Sequence, residues 1–263
     1  MGTFSLTSSM KDALQQKRLI FTVTTGRSGT GYLAHILKCL PGVTSLHEPA
    51  PRFSSVLRAV QNNPDHAYAF WIEEKLPAII STPHSIYIET SHLCCKGFLE
   101  PLMELGVTPD IIILSRPHRA VALSHYHLNC IPGRTPLAQQ FILNPNDPAV
   151  PPLPDWKSFS DYQLCYWYCL EIERRAAQYR DLFRTTGSRV VDISLQELTQ
   201  TTGFQRLRTE LELPEPTIFG TIRYHRNKNL HINTKTDLKS HSLHEEDLDA
   251  QERAVSKAIH ATL

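Results

Sequence analysis

The strongest constraint on this chain lies in residues 19–40. There LIFTVT, a short apolar and β-branched run, stops at Thr25-Gly26-Arg27-Ser28-Gly29-Thr30-Gly31, and YLAHILKCL follows with apolar residues at helical spacing. A strand that feeds a helix through a tight glycine loop cannot pair with its neighbour as a hairpin. It must be followed by a crossover, which builds a parallel sheet with helices on its faces. The same alternation continues, with further strands predicted at 43–46, 85–90, 110–114 and 189–193 and helices at 53–62, 66–80, 97–105, 117–127 and 160–184. The expected fold is therefore α/β, a three-layer αβα arrangement around a central, mainly parallel sheet. With 263 residues, 41% of them hydrophobic, the chain can bury one substantial core, so one domain over 1–263 is expected. Residues 1–17 read as an N-terminal extension, the proline-rich 131–156 as a loop or lid, and 215–238 as irregular.

The glycine loop also points to chemistry. Successive backbone N–H groups at the start of a helix converge on one point and add the positive end of the helix dipole, which makes an anion site. Gly26, Gly29 and Gly31 permit the turn, Arg27 adds a forked cation, and Ser28 and Thr30 add hydroxyl donors, all suited to phosphate or sulfate oxygens. An ATPase loop of the G-x-x-x-x-G-K-[ST] form is disfavoured, because Tyr32 stands where the lysine is required. The nucleophile elbow G-x-S-x-G is missed because the second glycine comes one place early. Gly29-Thr30-Gly31-Tyr32-Leu33-Ala34 does meet the loose dinucleotide form, with the ribose-binding acid left ambiguous.

Charge and composition narrow the partners. With 27 Lys+Arg against 26 Asp+Glu, the net charge of +1 provides no general field for a nucleic-acid backbone or an anionic membrane, so any anion is held locally. No apolar run approaches a membrane span, the first residues contain no apolar signal region, and Leu6 stands where a myristoylation signal needs Ser or Thr; a cytoplasmic protein is expected. The six cysteines have no repeated spacing and read as reduced, mostly buried thiols.

TTGRSGTGYL at 24–33, taken with IIILSRPHRAVALSHY at 111–126, resembles the two cofactor motifs of the sulfotransferases that use 3′-phosphoadenosine 5′-phosphosulfate (PAPS). The resemblance implies a P-loop-NTPase-like sulfotransferase architecture, PAPS as cofactor, 3′-phosphoadenosine 5′-phosphate (PAP) as product and no metal. It places Gly26, Arg27, Ser28, Gly29, Thr30, Gly31 and Tyr32 on the phosphosulfate, with Arg27 at the bridging oxygen. Arg116 and Ser124, eight residues apart, fall on the 3′-phosphate. Residues 221–235 occupy the place of the family's last nucleotide loop without its Arg-Lys-Gly form, leaving Arg226, Lys228 and Asn229 as the candidates there.

Two residues compete for the base that deprotonates the acceptor. Glu48, after the second strand in SLHEPAP, resembles the catalytic Glu of tyrosyl-protein and several carbohydrate and bacterial sulfotransferases. His92, after the third strand in ETSHLCC, resembles the catalytic His of the cytosolic small-molecule enzymes, although Thr90 stands where they have Lys. Glu48 ranks first, with His92 second or its partner. His47 is expected to orient the loop beside the substrate, and His125 and His127 to line an acceptor pocket with aromatic walls. The spacing of His125, His127 and Cys130 is that of no closed zinc site, so no metal is expected. The function expected is transfer of a sulfuryl group to a hydroxyl or amine of a small molecule, such as a cationic alkaloid among bacterial natural products. A homodimer is left open. The alternatives are a nucleotide kinase-like phosphotransferase, a Rossmann oxidoreductase using NAD, and a nucleotide-binding module without catalysis.

Overall fold

The structure is a computed structural model that describes residues 4–216 and 245–260. Its contacts gather into two compact units, one drawn from Met1–Arg116 and Ile172–Thr221, the other from Pro117–Glu171 and Ile222–Leu263.

The first unit holds a sheet of five strands: β1 Arg18–Val23, β2 Val43–Leu46, β3 Ile86–Glu89, β4 Asp110–Ser115 and β5 Val190–Ser194. Their order is β2-β3-β1-β4-β5, and every neighbouring pair is parallel. In the dinucleotide fold β1 lies beside β2, whereas here β3 stands between them, so the loose glycine match is not accompanied by that topology. β1 is central and buried on both faces, which is why LIFTV is a continuous apolar run rather than an alternating one.

The register sorts the side chains into two layers. Ile20, Ile88, Ile112, Leu114, Val191 and Ile193 share one face and pack on Leu33, Ile36 and Leu37 of α2 (Thr30–Leu37). On the other face Phe21 meets Tyr87 and Trp71 edge-on, and Trp71 packs against Phe53. Helices thus cover both faces, as the alternating pattern requires.

α1 Ser8–Gln15 precedes β1, with Thr7 accepting from the Met10 amide as its cap. The expected helix at 53–62 is a single 3₁₀ turn followed by α3 Leu57–Asn62. The one at 66–80 runs as α4 Asp65–Ala69, a π turn Phe70–Lys75 and α5 Leu76–Ile80. Pro77 has no N–H to close an ordinary turn, and the wider π turn stands directly before it. α6 Leu99–Glu104 leads to β4.

In the second unit, α7 His118–His127 packs through Val121, Ala122 and Tyr126 onto Tyr162, Cys165 and Cys169 of α9 (Asp161–Thr185). Between them, inside the proline-rich stretch expected to be a loop, stands α8 Pro136–Phe141; Pro136 suits the first turn and the Thr135 hydroxyl accepts from the Ala138 amide. α10 Leu195–Leu198 and α11 Thr201–Glu210 follow β5; Ser194 and Glu197 form a capping box that SLQE spelled out. α12 Glu245–His260 is held in the second unit by Arg119, which donates to both carboxylate oxygens of Glu252 at 2.8 and 2.7 Å and also reaches Asp249. All six cysteines are free thiols, and only Cys39 is exposed. Among the described residues no helix is long and apolar enough to cross a membrane.

Candidate active site

In a parallel sheet all strands end on the same edge, so the loops after β1, β2, β3 and β4 leave from one place. That edge brings together the glycine loop, His47 and Glu48, Thr90 to His92, and Arg116, all within the first unit.

The glycine loop is wound through left-handed backbone at Gly26 (φ 77°), Arg27 (φ 53°) and Gly29 (φ 98°). Gly29 is the residue before α2 and offers no side-chain cap, so the first amides of the helix, at Thr30, Gly31 and Tyr32, have no side-chain acceptor from it. Arg27 is exposed, and its carbonyl accepts from the Arg116 guanidinium at 2.8 Å. The strand-end arginine therefore braces the loop. Ser28 is fully buried, its hydroxyl paired with that of Thr24, so the Ser28 side chain closes the loop on itself. Tyr32 packs against the core, where burial pushes its phenol up.

The two candidate bases are adjacent. His92 Nε2 lies 3.4 Å from Glu48 Oε1, with side-chain exposures of 13% and 25%. The Glu48 backbone is in the left-handed region (φ 46°), a conformation that costs free energy in a non-glycine residue and turns the loop after β2. His92 Nδ1 sits 2.7 Å from Nζ of Lys96, a fully buried lysine four residues on. The Lys96 carbonyl accepts from Gln61 Nε2 at 2.7 Å. The ring also lies against Gly26, where an added Cβ would come within 2.9 Å of His92 Cγ. That glycine is needed for close approach as well as for the turn. His47 Nδ1 lies 2.8 Å from the Thr90 carbonyl and so donates to it. Thr90 in turn donates from its hydroxyl to the Thr30 carbonyl at 2.9 Å, tying the loops after β2 and β3 to the start of α2.

Beneath the Glu48 loop lies a second buried lysine. Lys75, in the π turn, pairs with Glu89 at 2.7 Å and donates to the Pro51 carbonyl at 2.8 Å, with its ammonium 4.7 Å from the centre of the Phe53 ring. Tyr87 donates to the same carboxylate oxygen, Oε2, at 2.6 Å, and the Lys75 ammonium also donates to Oε1 at 2.9 Å. Burial pushes Glu89 up, while the Lys75 and Tyr87 donors pull it back; burial beside that carboxylate pushes the Tyr87 phenol far up.

Of the residues gathered at this edge, Arg27, Glu48, His92 and Arg116 are candidates from the sequence, whereas Lys96 and Lys75 are not. The signal for Lys96 was its i+4 spacing from His92. Nothing in FWIEEKLP marks Lys75 as buried. Ser124, His125 and His127 stand on α7 in the second unit; His125 is buried edge-on against Tyr168, and His127 is exposed. Arg226, Lys228 and Asn229 lie outside the described residues. Among the described residues no group of three His, Cys, Asp or Glu side chains is placed to hold a metal ion.

No protein-family model matches the chain, and no curated protein matches it. Among solved structures it is similar to a sulfotransferase domain from the curacin biosynthetic pathway, at 13% identity and a TM-score of 0.51, over 93% of this chain and 98% of that one. The fold is sulfotransferase-like.

Proposed function

We propose that the protein transfers a sulfuryl group from PAPS to a hydroxyl or amine of a small-molecule acceptor. The observation that carries this reading is the gathering, at one sheet edge, of an anion-binding loop braced by Arg116 and a Glu48–His92 pair beside it. The sulfotransferase-like fold supports it. The donor set of the first unit fits the cofactor: loop amides and Arg27 suit the phosphosulfate, and Arg116 is the residue there that would hold the 3′-phosphate. PAPS, when bound, supplies the sulfuryl group and leaves as PAP.

The chain's own residues do the rest. Glu48 takes the proton of the acceptor hydroxyl or amine as the new bond to sulfur forms, and the bond from sulfur to the bridging oxygen breaks. Arg27 and the loop amides stabilise the charge that develops on that oxygen. The near-neutral chain favours a small acceptor over a long polyanion, and the similar sulfotransferase domain's origin in a biosynthetic pathway is consistent with tailoring of a natural product.

Calorimetric titration of the full chain with PAP, ADP and NAD tests the reading. Micromolar binding of PAP alone, abolished by Arg116→Ala, is the expected result. Equal binding of ADP or NAD would return the loop to the phosphotransferase or oxidoreductase alternatives. Tight PAP binding with no transfer to any acceptor would favour a nucleotide-binding module.

A further inference from the structure

We propose that Lys96 is a positioning residue that locks His92 in the Nε2–H tautomer, so that His92 donates to Glu48 and Glu48 alone is left to take the acceptor's proton. The inference rests on the sulfotransferase reading above for the reaction, whereas the tautomer rests on two contacts and on the charged forms of Lys96 and Glu48.

An ammonium has three donors and no acceptor. At 2.7 Å from Lys96 Nζ, His92 Nδ1 must therefore be the acceptor of that contact, and a neutral ring then carries its proton on Nε2. Nε2 is the atom 3.4 Å from Glu48 Oε1, and an ionised carboxylate only accepts. The other assignments fail at one contact or the other. A proton on Nδ1 would point at the ammonium and leave two lone pairs facing each other between Nε2 and Glu48. A doubly protonated ring would put an N–H and a second positive charge against Lys96. Only one tautomer satisfies both contacts with Lys96 and Glu48 charged.

The surroundings hold the ring in this role. Its Cβ, Cγ and Nδ1 atoms lie against Gly26, with an added Cβ there 3.1 Å from Nδ1, and the Lys96 carbonyl is held by Gln61. Lys96 itself is fully buried, and its contact with the imidazole links it to the site. In this arrangement His92 has no basic lone pair to offer the acceptor. Its N–H stabilises and aims the carboxylate, as second groups around catalytic centres commonly do.

The deciding experiment reads the ring directly. In the ¹⁵N-labelled full-length protein near neutral pH, long-range ¹H–¹⁵N correlation, with the His92 signals assigned by their loss in His92→Gln, should show a protonated Nε2 and a bare Nδ1. A ring protonated on Nδ1, or on both nitrogens, overturns the proposal. This outcome does not depend on sulfuryl transfer, so it separates failure of the lock from failure of the functional reading. Kinetics add a second arm. Glutamine keeps an N–H donor near the Nε2 place but has no basic nitrogen, so His92→Gln should retain at least about tenfold more kcat than His92→Ala. Lys96→Met should lower kcat by about 10–100-fold with little change in KM for PAPS, and should cost nothing further in the His92→Gln background, which has no tautomer to lock. Equal inactivity of the Gln and Ala variants would make His92 the base. An undiminished Lys96→Met effect in the Gln background would make Lys96 merely structural. Should Lys96→Met fail to fold, the wild-type ring spectrum still decides.

Discussion

Two buried lysines lie around the end of β3, and they are used in opposite ways. Lys75 and Glu89 are sealed, with side-chain exposures of 1% and 0%, and their remaining contacts are Tyr87, the carbonyls of the Pro49–Pro51 turn and the Phe53 ring. Lys96 begins a chain that opens outward, from full burial through His92 at 13% to Glu48 at 25%. A closed network answers each charge within the protein and presents nothing to a ligand. A graded one carries a buried charge to a carboxylate that a ligand can reach. The distinction between support and the proposed chemistry is thus one of exposure along the chain of contacts, not of residue type.

Crossed substitutions test that contrast. The largest effect is expected at Glu48. Glu48→Gln should lower the transfer rate by about 10²–10⁴-fold while PAP affinity and the urea midpoint stay near wild type; a rate within threefold of wild type would remove Glu48 as the base. Lys75→Met comes next and acts on stability. It leaves Glu89 buried without its ammonium, and equilibrium urea unfolding should show a loss of about 3–5 kcal/mol, most of it recovered in Lys75→Met/Glu89→Gln. A loss too small to measure would mean that the sealed pair is not a support at all.

Gly26→Ala should couple both properties, because the residue has φ 77° and its new Cβ would press on His92 Cγ at 2.9 Å. Stability should fall by about 1 kcal/mol and kcat by about tenfold, while PAP binding falls less than kcat. The smallest effect belongs to the clamp in the second unit, which is more exposed than either lysine network. Burial pushes Glu252 up, but hydrogen bonds from Arg119 and Tyr162 outweigh it and hold the carboxyl below its usual range. A depressed acid contributes stability that is present at neutral pH and lost as pH falls through its folded pKa. Melting temperature should therefore drop below about pH 4.3, and Glu252→Gln should flatten that acid limb; an unchanged limb would show that the clamp carries no linkage.

Much of this site was legible in the sequence because its parts announce themselves locally. LIFTVT followed by GRSGTG requires a strand, a left-handed loop and a helix, and all five strands stand within a residue or two of where apolar, β-branched runs put them. Glu48, His92 and Arg116 were identifiable as residues just past strand ends. Their meeting also needed the strand order, with β3 between β2 and β1, and no short-range pattern encodes which strand a crossover returns beside. The helix in the proline-rich stretch was missed because Thr135 and Pro136, a cap and a first-turn residue, were outweighed by the prolines around them.

By itself the sequence determined the α/β class, the strand–glycine loop–helix and the candidate acids, bases and cations, since these follow from periodicity, glycine placement and side-chain chemistry over a few neighbouring residues. Only the tertiary structure decided what those groups do to one another. It set Lys96 against Nδ1 and Glu48 against Nε2 of the same ring, and it buried Lys75 under the loop that carries Glu48. The physical reason is that protonation, tautomer and burial depend on contacts between residues far apart in the chain, here 44 positions between Glu48 and His92, which only the packed sheet edge brings within hydrogen-bonding reach.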